Sequence, residues 1–130
     1  MDSSVWVAAV MPQHPEHIAA RDFLANGPPV GVLDLTLYEV ANVVTRRYRQ
    51  PEQAKRLVQG LIGSSSEAPL RVDAALLEHG VELMLEHNLS AYDAAYVAAA
   101  RRNGWKLVSL DVRDLVSKGL AVTPDVAVYP

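Results

Sequence analysis

Four carboxylates stand out by their placement: Asp2, Glu39, Asp93 and Asp111. Asp111 directly follows the apolar run Leu107-Val108-Ser109-Leu110, and Asp2 directly precedes an apolar segment. Glu39 and Asp93 each fall in the first turn of an expected helix. Clustered carboxylates repel one another and raise one another's pKa unless a cation is present. Mg²⁺ and Mn²⁺ are hard ions that prefer oxygen ligands, and at such a site they can bind and activate a phosphodiester for hydrolysis. A plainer reading stands beside this one. Thr36-x-x-Glu39 and Ser90-x-x-Asp93 both fit a capping box, the second with Asp in place of Glu or Gln. Asp111 could cap the segment after it, and Asp2 could be a free terminal residue. Spacing alone leaves both readings open.

The elements that must position these acids follow from periodicity and breakers. Ser4 to Met11 is apolar and stops at Pro12. His17 to Ala25 reads as a helix ending at Asn26-Gly27-Pro28-Pro29, and Val30-Gly31-Val32-Leu33 as a buried strand. Thr36 to Arg49 is a helix with Leu37, Val40, Ala41, Val44 and Tyr48 on one face. Pro51 suits the first turn of the next helix, whose apolar face is Ala54, Leu57, Val58 and Leu61. Leu70-Arg71-Val72 reads as a strand. Asp73 then caps a helix to about His87, with Leu77, Val81, Met84 and Leu85 turned inward. Ser90 opens a helix to about Asn103-Gly104, whose small residues Ala94 to Ala100 let it lie close to the core. Lys106 to Leu110 is a strand, Val112 to Lys118 a short helix, and Ala121-Val122-Thr123 with Val126-Ala127-Val128 a final edge strand. Strands alternating with helices predict an α/β fold with a mainly parallel sheet and helices on both faces. In such sheets, sites form at the carboxyl ends of the strands.

The 130 residues suit one domain, taken as 1–130. Gly63-Ser64-Ser65-Ser66 is the one flexible-looking stretch and is too short to separate two. Half the residues are apolar, yet no run approaches the ~20 needed to span a membrane. The start lacks the basic region of a secretory signal, and there are no cysteines, which excludes disulfides and thiolate metal sites. A reducing cytoplasm is the expected location. The net charge of −3 argues against a protein that coats nucleic acid by bulk charge. It does not argue against an enzyme that meets phosphates through metal ions.

From end to end the chain resembles a PIN domain of the VapC toxin type. The resemblance rests on Asp2-Ser3-Ser4-Val5-Trp6, on Leu37-Tyr38-Glu39-Val40-Ala41-Asn42, on Leu89-Ser90-Ala91-Tyr92-Asp93-Ala94-Ala95-Tyr96 and on Leu107-Val108-Ser109-Leu110-Asp111. It implies a three-layer fold and a Mg²⁺- or Mn²⁺-dependent endoribonuclease, the toxin of a toxin–antitoxin pair. It implies Asp2, Glu39, Asp93 and Asp111 as the carboxylates of the site, with Ser4 and Ser109 supporting them and Asp114 as a further acid. Asp93 and Asp111 would be direct ligands, with Glu39 acting on the attacking water. It also implies an RNA substrate, an antitoxin partner and a homodimer. One departure is visible: family members carry a few apolar strand residues before the first aspartate, whereas here Met1 alone precedes Asp2. A shortened first strand, or a start further upstream, follows. The first case predicts a poorly anchored Asp2 beside a competing α-amino group.

Arg46-Arg47-Tyr48-Arg49 and Arg101-Arg102 are candidate backbone contacts for RNA, weighed against ordinary basic helix ends favoured by the helix dipole. Trp6 reads as core rather than as a base-stacking platform. His14-Pro15-Glu16-His17 lacks the i, i+4 histidine pair of a helical zinc site, and all four histidines are expected at the surface. Two alternatives remain. A phosphoryl-transfer domain needs a lysine or hydroxyl partner at the strand end, which Lys106 does not supply. A non-catalytic binding module would instead present Trp6, Val10, Phe23 and Leu24 as a surface.

Overall fold

The computed structural model describes residues 1–64 and 68–128. Ser65 and Ser66 of the glycine–serine stretch lie outside the described residues. Among the described residues, seven α-helices follow in order: α1 Ser3–Val10, α2 His17–Asn26, α3 Asp34–Asn42, α4 Pro51–Ser64, α5 Ala74–His87, α6 Ala91–Arg102 and α7 Pro124–Val128. Val43–Arg47 extends α3 as a wider π-helical turn, and Val112–Val116 forms a second such turn.

Between the helices run short extended segments that meet in parallel pairs. Leu33 bridges Leu70, and Val108 bridges Val122. Ser109 N–H donates to the Val122 carbonyl and Val122 N–H to the Leu107 carbonyl, the alternating pattern of a parallel ladder. Asp2 N–H donates to the Val108 carbonyl at 3.1 Å, so the chain start lies against the same segment. The expected strands thus exist as pairing segments one bridge long. Asp34 reinforces one of them: its carboxylate accepts from Val72 N–H, which carries the Leu70 segment past its single bridge.

Three apolar clusters fill the interior. Tyr96 to Ala100, with Ala94, join Leu33, Leu76, Leu83, Leu107 and Leu115 in the first. The alanine-rich face of α6 is buried as its composition predicts. Trp6, Val40, Val44, Leu57 and Leu61 form the second, and Val5, Ala8, Phe23 and Val108 the third. Trp6 and Phe23 therefore belong to the interior, and the surface envisaged for a binding module is not assembled.

Three expectations need correction. Val126-Ala127-Val128 is helical, because Pro124 pre-sets the first turn of α7 and only Val122 continues the pairing. On α5 the inward residues are Leu76, Gly80 and Leu83, while Leu77, Val81 and Leu85 are 56%, 49% and 83% exposed. That helix is apolar on two faces, and the face holding Gly80 is the one turned to Ala94 of α6. The histidines are half-buried rather than on the surface. His17 Nδ1, for instance, lies 2.8 Å from the Ala8 carbonyl, joining α2 to α1.

Candidate functional site

Asp2 is the innermost of the four acids. It is 5% exposed and caps α1, accepting from Ser4 N–H at 3.1 Å. Two serine hydroxyls hold its carboxylate. Ser4 Oγ donates to Oδ1 and itself accepts from Leu110 N–H at 3.0 Å. Ser109 Oγ donates to Oδ2 and accepts from Asp111 N–H at 2.9 Å. Each serine therefore relays between Asp2 and the backbone at the end of the Leu107–Leu110 segment. Asp2 is firmly anchored, contrary to the expectation for a shortened first strand, because these relays replace strand pairing. The nearby amino group of Met1 has its pKa lowered by desolvation, which weakens its charge as a competitor for cations.

Glu39 reaches the same corner from α3. Tyr96 of α6 donates its hydroxyl to Glu39 Oε2, and the same hydroxyl lies 3.1 Å from Thr36 Oγ1. Ser3 also hydrogen-bonds Glu39. The proposed Thr36–Glu39 capping box does not form. The helix begins two residues earlier at Asp34, so Thr36 sits inside the first turn, fully buried. Glu39 is thereby released from a capping role. Burial and the charge of Glu39 both push the Tyr96 phenol above its ordinary range.

Asp93 and Asp111 come from the more open side, and here the plainer reading partly holds. Ser90 caps α6 by accepting from Asp93 N–H at 3.1 Å, and its hydroxyl donates to Asp93 Oδ2 at 2.8 Å. Asp111 caps the Val112–Val116 turn, accepting from Asp114 N–H at 2.9 Å. Asp111 uses one oxygen as a cap and Asp93 uses one to accept from the Ser90 hydroxyl, which leaves the other oxygen of each available to a ligand. Asp114 carries Arg113 at 2.6 Å, and Lys118 approaches it at 3.8 Å.

Electrostatics tie the two sides together. Burial raises the pKa of Asp2, Glu39 and Asp93. Glu39 is raised further by the charges of Asp2 and Asp93, and Asp93 by those of Asp111 and Asp114. These are the mutual repulsions of one acidic corner, and they are what a bound cation would relieve. Among the described residues, no three acidic or histidine side chains already stand at metal-ligand distances from a common point. The donor set nonetheless fits a hard divalent ion: the four acids, with Ser4 and Ser109 beside Asp2, offer oxygen only.

Four residues of this corner were not expected to support the acids from the sequence, although Thr36 was read as a helix cap. Tyr96, Thr36 and Ser3 position Glu39. Lys118 Nζ donates to the carbonyls of His87 and Asn88 at 2.9 and 3.2 Å, and its charge lowers the pKa of Asp93. Asn88 has a positive φ of 52°, which turns its carbonyl toward that lysine as α5 ends. A buried tyrosine three residues after Asp93 was the available signal, since a phenol inside a core needs a partner. Lys106 lines an apolar cleft with Met1 and Trp105, and the cations beside the acids are Lys118 and Arg113. Arg102 is engaged by Asp73 at 2.9 Å, whereas Arg46, Arg47, Arg49 and Arg101 are exposed.

The PIN domain profile matches residues 1–117. Ribonuclease VapC3 of Pyrobaculum aerophilum is 33% identical over 129 residues, spanning 95% of this chain and 97% of that protein. Among solved structures, Mycobacterium tuberculosis VapC20, a Sarcin-Ricin loop cleaving toxin, superposes with a TM-score of 0.78 at 23% identity, covering 91% and 92% of the two chains. A toxin–antitoxin complex from Klebsiella pneumoniae contains a chain matching at TM-score 0.71 and 20% identity, over 95% and 94%. No described helix is long and apolar enough to cross a membrane. The three-layer α/β expectation is met by these neighbours even where single bridges stand for strands, and the chain belongs to the PIN domain family, in its VapC branch.

Proposed function

We propose that the chain is a Mg²⁺- or Mn²⁺-dependent endoribonuclease, the toxin of a toxin–antitoxin pair, acting as one domain in the cytoplasm. The observation that carries this reading is the corner itself. A buried aspartate is clamped by two hydroxyls beside a glutamate held by a buried phenol, and two half-open aspartates face them. Asp2, Asp93 and Asp111, with Glu39, would hold the cation, which supplies positive charge for the negative charge developing on the phosphodiester. Ser4 and Ser109 keep both oxygens of Asp2 oriented. Glu39 has one oxygen tied to Tyr96 and a raised pKa, which suits it to take a proton from the attacking water. Asp93 brings its free oxygen to the open side, where an RNA backbone can approach. Of the basic residues singled out in the sequence, Arg46, Arg47, Arg49 and Arg101 are exposed and outside ion pairs, available to further phosphates.

The toxin–antitoxin complex among the solved structures supports an antitoxin partner; that the antitoxin covers the acidic corner, and that the chain forms a homodimer, follow from the family resemblance. The first experiment is thermal melting of wild type and Asp93→Asn in EDTA and in millimolar Mn²⁺, followed by cleavage of structured RNA. A ligand that binds the folded state stabilises it by linkage. A rise in the wild-type melting temperature that Asp93→Asn lacks, together with Mn²⁺-dependent cleavage, supports the site. An identical response in both proteins would sink it.

A further inference from the structure

The tyrosines among the described residues are of two kinds. Tyr96 is buried with two hydroxyl partners, and Tyr48 is half-buried with the Arg47 guanidinium 5.7 Å from its ring centre. Tyr38 and Tyr92 are 78% and 59% exposed, and among the described residues neither phenol has a hydrogen-bond partner. Rings so exposed add little to the core. Each of the two directly precedes a site acid: Tyr38 stands before Glu39 on α3, and Tyr92 before Asp93 in the first turn of α6. Successive helical residues project about 100° apart. In each helix the acid therefore turns into the corner while the ring stands out beside it, on the rim. The Tyr96 hydroxyl joins α6 to Thr36 and Glu39 of α3. Tyr92 lies one turn before Tyr96 on the same face of α6. The side of α6 that meets α3 thus ends at solvent in the Tyr92 ring, with Tyr38 on the α3 side of the same corner. Trp105, also exposed, stands at the start of the Lys106–Leu110 segment, away from Asp111 at its end.

The corner works against its own substrate. Four carboxylates repel a phosphodiester, and the net charge of −3 adds to that repulsion. A cation offsets it at one phosphate. The nucleotides on either side need an attraction that does not depend on charge. Stacking on an exposed phenol ring supplies one, and it is open to any base because every base has a π-face. Tyrosine suits the task, since its ring is rigid and loses little conformational freedom when covered. A base stacks on protein only when it is unpaired and turned out of its own helix. We propose that Tyr38 and Tyr92 are base-stacking residues that hold unpaired nucleotides on the two sides of the scissile phosphate. The substrate class is then RNA splayed open at the cut, as in a loop, a bulge or a single-stranded end, and not a continuous duplex. This inference rests on the nuclease reading above and deepens it.

The probe is a pool of hairpin RNAs with a fixed stem and a random-sequence loop, cleaved in Mn²⁺. Cuts should map to the loop and not to the stem. Tyr38→Ala and Tyr92→Ala should each raise KM about tenfold with kcat within about twofold, the loss expected for one stacked base. Tyr38→Phe and Tyr92→Phe keep the ring and should stay within about twofold of wild type. All four variants should melt with the wild type. Binding is read apart from cleavage, in an Asp93→Asn background, with 2-aminopurine in the hairpin loop. Its fluorescence should be quenched on binding, and the Ala substitutions should remove the quench. Wild-type KM and quenching in the Ala variants would overturn the proposal and leave the nuclease reading standing. Phe variants as weak as the Ala variants would also overturn it, because the hydroxyl and not the ring face would then be at work. So would loss of a dimer in sedimentation with the quench unchanged, which would make the rings subunit contacts. Equal cutting of stem and loop would overturn the substrate class. Tyrosine-dependent quenching without any cleavage by wild type would keep the stacking residues and remove the nuclease reading beneath them.

Discussion

The two sides of the acidic corner are built on different principles. The inner side, Asp2 with Ser4 and Ser109 and Glu39 with Tyr96, is buried, and its hydroxyls are anchored in backbone or core. The outer side, Asp93 and Asp111, consists of helix and turn caps whose carboxylates are half-open. The inner groups are costly to assemble, since burying charge is unfavourable until each oxygen finds a donor. The outer groups are inexpensive, because a cap stabilises its own element. Chemistry and stability are therefore coupled on the inner side and separable on the outer. Each prediction below tests that division.

The largest effect belongs to Asp93→Asn. It removes a charge and keeps the shape, so RNA cleavage should fall by about a hundredfold or more while the melting temperature holds or rises. A large loss of stability would place Asp93 with the inner side. Next is Ser109→Ala, measured by both cleavage and melting. It leaves an Asp2 oxygen and Asp111 N–H without their shared partner, at about 1–3 kcal/mol. Activity should fall about tenfold, as for other lost supports of a metal ligand. Loss of one property without the other would break the coupling.

Tyr96→Phe is smaller. It deletes the phenol that holds Glu39 and meets Thr36, and should cost about 1 kcal/mol with a reduced rate. Its pH–rate profile should also shift, because Glu39 loses the hydrogen bond that lowers its pKa. An unchanged profile would remove Glu39 from proton transfer. The smallest effect is on stability against pH in EDTA. Asp2, Glu39 and Asp93 are all raised in the folded state, so the folded protein binds more protons than the unfolded one just above the ordinary carboxylate range. Their contribution is present below the unfolded values and is lost as pH rises through the raised ones. Melting in EDTA should therefore decline from about pH 5 toward neutrality, and saturating Mg²⁺ should flatten or reverse the slope. A flat EDTA profile would mean that burial does not hold these acids above their ordinary range.

The elements near this corner differed in how legible they were. The α6 helix was readable because Ser90, a run of small residues and Asn103-Gly104 mark its start, burial and end. Asp93 and Asp111 were readable as caps. They were readable as site residues only through the family resemblance, since a cap and a ligand share the same local pattern. The Glu39 turn was misjudged because Asp34, in long-range contact with Val72, starts the helix earlier than Thr36 would. The burial of Asp2 was hidden for a similar reason. Its partner Ser109 is 107 positions away, and no local periodicity encodes that contact. The apolar faces of α5 were ambiguous because both were apolar, and only packing against Ala94 chose between them.

The face that was not chosen has its own consequence. Leu77, Val81 and Leu85 recur every four residues along α5, giving an exposed apolar ridge roughly 12 Å long. In dilute solution this costs the molecule nothing in folding free energy. At high concentration it makes the pair potential between molecules attractive, so colloidal stability falls well before conformational stability does. The ridge lies on a helix that contributes none of the four acids, so its attraction can be reduced there without touching them.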